Sequence, residues 1–192
     1  MKASRLHLTA WLAATAVTLL VVPTANARST DPWPNTGWAS PTQLSNISED
    51  LGDGRSVFST GTLNGASIDA VADAWARSHG KATIRTALAD GGVKYPTGAP
   101  GEDPALASTF WTTASTIFAE QAKGTATVMV GDAFPAGGSW ESVECPSLIK
   151  VATVPMIAAT QAADNGATQK NVLTGSTDSE KLQSCDPRKY FG

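Results

Sequence analysis

The segment Ser139-Trp140-Glu141-Ser142-Val143-Glu144 places an indole, a hydroxyl and a carboxylate at every second position. Read as a strand, it turns Trp140, Ser142 and Glu144 to one face and Glu141 and Val143 to the other. A carboxylate walled by an aromatic ring is desolvated and its pKa rises. Its charge then acts on a nearby positive centre more strongly than in water. The plainer alternative is a half-exposed edge strand without chemistry.

Other chemistries find less support. His79 falls at the end of an expected helix, where a lone histidine reads as a cap or a surface residue. The chain has no Gly-x-Ser-x-Gly elbow and no Walker-type phosphate loop. Two cysteines and two histidines cannot close a zinc site, so no metal is expected.

The elements that must carry Glu144 follow from local signals. Residues 56–65 read as a short strand and a turn ending on Asn64-Gly65. Ile68, Val71, Ala72, Trp75 and Ala76 recur at helical spacing, with Ser67 as a cap and Gly80 as a stop. Residues 82–88 are a short apolar stretch, strand or helix. Asp103-Pro104 opens a helix expected to run to Lys123 and stop at Gly124, with Ala107, Trp111, Ala114, Ser115 and Phe118 on one stripe. Residues 125–130 read as a strand, and residues 151–159 as another broken by Pro155. Helix, strand, loop, strand is an α/β order in which helices cover the strands. Residues 28–54 are rich in Pro, Ser, Asn and Asp and read as an extended arm.

Residues 1–27 have the form of a secretory leader: Lys2, Arg5 and His7, an apolar run too short to span a bilayer, then Ala25-Asn26-Ala27. The remaining 28–192 suits one exported domain, with no membrane span expected. The leader carries Lys2 and Arg5 and no acid, so its removal takes the net charge from −3 to −5. The remaining cations are scattered, which argues against nucleic-acid binding. In an exported chain Cys145 and Cys185 are expected to form one disulfide.

The second half resembles the ADP-ribosyl cyclase family of NAD glycohydrolases. The residues that carry the resemblance are Phe110-Trp111, Ser115, Phe118-Ala119-Glu120, Val128-Met129-Val130 and Ser142-Val143-Glu144, in that order over roughly 40 residues. It implies an α/β fold with a small N-terminal helical part, a C-terminal parallel sheet flanked by helices, and an NAD cleft between them. It also implies cleavage of the nicotinamide–ribose bond of NAD, as substrate, with no further cofactor. Glu144 then stabilises the oxocarbenium-like ribosyl centre, and Trp111 stacks on the cationic nicotinamide ring. Ser115, Ser139 and Trp140 correspond to positions near the phosphates. Trp111 as ordinary core packing is the alternative.

The first half departs from the family. Phe58 stands where the family has a second tryptophan. Arg85 stands where it has an acid that touches the nicotinamide amide and favours hydrolysis over cyclisation. Arg85 could repel the ring, turn away, pair with Glu144 and depress its pKa, or be a surface residue. The expected function is a secreted NAD glycohydrolase or cyclase. One alternative is a non-catalytic nucleotide- or protein-binding effector on the same scaffold. Another is an adhesion or wall protein that uses Trp33 and Trp38 as exposed contacts.

Overall fold

The computed structural model describes residues 32–135 and 138–191, so the leader-like residues 1–27 lie outside them. Among the described residues no helix is long and apolar enough to cross a membrane.

Residues 28–54 are not simply an extended arm. Helix α1 (Pro41–Glu49) occupies the middle of the stretch. Ser40 and Gln43 cap its start reciprocally, and Pro41 supplies the first turn. Leu44 is fully buried on its inner side. The helix-start signal outweighs the polar composition. Trp33 is also fully buried, and its indole nitrogen donates to the Ala39 carbonyl at 3.1 Å. Trp33 and the half-buried Trp38 meet the edge of Phe110, with centroids 5.0 and 5.8 Å away. These tryptophans build core rather than an exposed contact surface.

Strand β1 (Val57–Thr60) leads into a hairpin of β2 (Thr62–Leu63) and β3 (Ala66–Ser67). Its turn needs positive φ at both central residues, and Asn64 (53°) and Gly65 (77°) supply it. Helix α2 (Asp69–Ser78) follows, with Ser67 accepting from the Asp69 amide. His79 caps its far end through the Trp75 carbonyl. Residues 82–88 resolve mainly as helix: Thr83 and Thr86 form a capping box for α3 (Ile84–Asp90). Helix α4 (Pro104–Glu120) starts where Asp103 accepts from the Ala105 and Leu106 amides. It ends a turn sooner than expected.

Strand β4 (Thr125–Val130) matches its sequence reading. Residues 139–144 do not: Trp140–Glu144 is a π-helical turn, and it runs on as α5 (Cys145–Lys150). The pattern of alternation is only five residues long. The competing helical spacing Trp140, Glu144 and Leu148, with Pro146 in the first turn of α5, prevails. Strand β5 (Met156–Gln161) begins after Pro155, which cannot donate to the ladder. Strand β6 (Gln169–Asn171) and helix α6 (Asp178–Gln183) complete the elements relevant here.

The main sheet has the order β1-β4-β5-β6, the first three parallel and β6 antiparallel. The fold is therefore mixed α/β with a mostly parallel sheet flanked by helices. On one face Ala126, Val128, Ile157 and Ala159 pack with Phe118 of α4 and Leu148 of α5. On the other, Val57 and Met129 pack with Ala72 and Trp75 of α2. Cover on both faces explains why β4 is buried without alternation from Ala126 to Val130, Thr127 included. A third cluster joins α1, α3 and the first half of α4 through Leu44, Leu88, Phe110 and Ala114. Helix α4 thus belongs to two cores.

The tail is tied three times to the π-turn and the start of α5. Cys145 and Cys185 form a disulfide across 40 residues. Trp140 Nε1 donates to the Tyr190 hydroxyl at 3.0 Å, and Arg188 pairs with Glu141 at 3.0 Å. Opening the disulfide by reduction or by Cys185→Ser should lower stability by about 4 kcal/mol, the loop-closure value for this length. Urea unfolding of oxidised and reduced protein measures it. A loss below about 1 kcal/mol would mean that the two noncovalent ties hold the tail by themselves.

Candidate active site

Elements β1, α2, α3, α4 and the π-turn all contribute to the wall of one cavity of about 340 Å³. Helix α4 supplies Trp111, Ser115 and Phe118, whose spacing puts them on one stripe. Trp111 is half-buried, with its ring edge-on to Tyr95 at 5.8 Å. Its neighbour Phe110 turns away into the α1–α3 cluster.

Glu144 also lines the cavity, with 6% of its surface exposed. Ser115 Oγ donates to one carboxylate oxygen at 2.9 Å. Ser139 Oγ reaches the other at 3.5 Å. Burial pushes the Glu144 pKa up to about 7; the Asp69 charge adds to this, while the two serine hydroxyls oppose it.

The residues singled out in the sequence separate into two groups. Glu144, Trp111, Ser115, Ser139, Phe58 and Arg85 all line the cavity. Trp140 does not. It is fully buried, packs against Phe58 at 5.8 Å, and is held by Tyr190. Ser142, which a strand would put beside Glu144, is exposed and donates to the Gly138 carbonyl. In the turn, Glu144 and Trp140 are neighbours with different surroundings. Trp140 is therefore not a wall of the cavity that Glu144 lines. Phe58 is nearly covered by Phe118 and Trp140, so it shapes the wall.

Arg85 is neither turned away nor paired with Glu144. Its Nη1 lies 3.1 Å from Asp69 and its Nε 3.5 Å from Asp73. The second oxygens of these acids accept from Ser59 and Thr83. Asp69 and Asp73 line the cavity too, and the sequence reading did not single them out. Their four-residue spacing on α2 was the available signal. Among the described residues, no group of three or more His, Cys, Asp or Glu side chains is placed to hold a metal ion.

The raised pKa has a thermodynamic consequence. The folded value (about 7) exceeds the ordinary 4.5, so neutral Glu144 favours the fold at low pH, and that contribution is lost as pH rises through about 7. Charging it costs about 3 kcal/mol, from about 1.4 per pKa unit. Glu144→Gln should therefore be the more stable protein near pH 8, by up to about 3 kcal/mol. The gap should close towards pH 4.5, where both side chains are neutral. Urea titrations of both proteins across this range measure it, and a pH-independent gap would show that Glu144 ionises normally.

Compared with known proteins, the chain has no significant match to a family model, to a curated protein or to a solved structure.

Proposed function

We propose that the chain is a secreted NAD-cleaving enzyme, a glycohydrolase or ADP-ribosyl cyclase, with an ADP-ribosyl cyclase-like fold. One observation carries the reading: a nearly buried carboxylate, oriented by two serine hydroxyls, sits in a cavity that also presents a tryptophan ring. Export is supported by the leader-like residues 1–27 and by the disulfide.

In the reaction the nicotinamide nitrogen takes the bonding electron pair and leaves as a neutral ring. Positive charge moves to the ribosyl carbon and its ring oxygen. Ionised Glu144 lies where that charge develops and lowers the barrier electrostatically. Trp111 offers its face to the pyridinium before cleavage. Asp69 and Asp73 outweigh Arg85 in charge, so the cavity favours a cation. The diphosphate then lies towards solvent. Ser115 and Ser139 donate their hydroxyl hydrogens to Glu144, so their role here is to orient the carboxylate rather than to hold phosphate. Water attack on the ribosyl centre, with one proton released to solvent, gives ADP-ribose, and attack by an adenine ring nitrogen gives the cyclic product with the positive charge passed to the adenine.

Incubation of the purified chain with NAD, with nicotinamide, ADP-ribose and cyclic ADP-ribose separated by chromatography, tests the proposal. Nicotinamide release should fall about 100-fold or more in Glu144→Gln. Because ionised Glu144 is the working form, wild-type kcat/KM should rise with pH along a limb centred near 7. Folded wild type that releases no nicotinamide refutes the assignment.

A further inference from the structure

Among the described residues that line the cavity, Arg85 is the one basic side chain. It is paired with two acids of the same wall. Nη1 and Nε are spent on Asp69 and Asp73, while its side chain keeps 38% of its exposure. The acids are held in turn by Ser59 and Thr83, so the network is built from β1, α2 and α3. A cation therefore already occupies the acidic wall of the cavity that Glu144 also lines.

We infer that Arg85 is a specificity-determining residue, a resident cation whose charge sets how strongly the cavity prefers a positively charged ring over its neutral counterpart. The inference rests on reading the cavity as the seat of a pyridinium ring. A ligand ring entering there meets the attraction of Asp69, Asp73 and Glu144 and the repulsion of Arg85. Cleavage moves the positive charge from ring to ribose, beside Glu144. The repulsion from Arg85 thus weighs on the bound substrate more than on the transition state or on the neutral leaving group. An interaction that penalises the ground state alone raises KM and kcat together.

The test uses wild type, Arg85→Gln and Arg85→Lys, each checked for folding by circular dichroism. The probes are 1-methylnicotinamide, a permanent cation, and neutral nicotinamide, titrated against tryptophan emission. Arg85→Gln should bind the cation about tenfold more tightly, with nicotinamide affinity unchanged, and Arg85→Lys should stay near wild type. With NAD, Arg85→Gln should lower KM and kcat together. Equal changes for both rings, or none, overturn the inference, as does failure of either ring to bind at millimolar concentration. The cation preference without NAD turnover would uphold Arg85 and refute the proposed reaction. Turnover without a cation effect would do the reverse.

Discussion

The hydrogen bond from Ser115 to Glu144 is the contact on which the rest of the site depends. It crosses from α4 to the π-turn, 29 positions along the chain, and it is buried. A carboxylate at this depth is costly to charge, so the group needs hydroxyl partners even when neutral. Removing the hydroxyl would leave a buried acceptor unpaired. The bond therefore does two jobs. It aims the carboxylate into the cavity, and it fixes the separation between α4 and the turn.

Helix α4 can carry this contact because it is anchored at both ends. Phe110 and Ala114 lock its first half into the cluster with α1 and α3. Phe118 and Ala119 lock its second half against the sheet. Trp111 and Ser115 lie on the stripe between, facing the cavity. The opposite partner is anchored just as firmly. Trp140, Glu141 and Cys145 are all tied to the C-terminal tail, leaving Glu144 as the member of the turn that faces the pocket. π-turns recur at functional sites, and here the local distortion is fixed by covalent, polar and aromatic contacts.

The electrostatics of the pocket arise from a second layer. Asp69, on the same cavity wall as Arg85, adds to the burial that raises the Glu144 pKa. Its own charge is partly balanced by Arg85, which is shared with Asp73. These groups sit on α2 and α3, so the docking of two short helices against β1 sets the charge of a carboxylate on a different part of the chain. The surface ion pairs of the tail, by contrast, are open to water and contribute little more than position.

Local chemistry determined a good part of this protein. The Asp103-Pro104 start of α4, the Asn64-Gly65 turn and the apolar run of β4 were legible because each depends on residues close in sequence. So was the cysteine pairing, there being two cysteines and one disulfide. The stripe of Trp111, Ser115 and Phe118 was also readable, since helical spacing suffices, whereas Glu144 was singled out by a strand alternation that the fold does not keep and by the family resemblance. The form of residues 139–144 was not readable. A five-residue alternation fits strand and helix alike, and only packing of Trp140 against Phe58 and Tyr190 decides between them. The same holds for α1, whose capping box was hidden in a polar stretch. The partners of Arg85 and the ionisation of Glu144 belonged wholly to the tertiary structure. Coulomb interaction and desolvation depend on distance and burial in space, and those were decided when α2, α3 and α4 closed around the cavity.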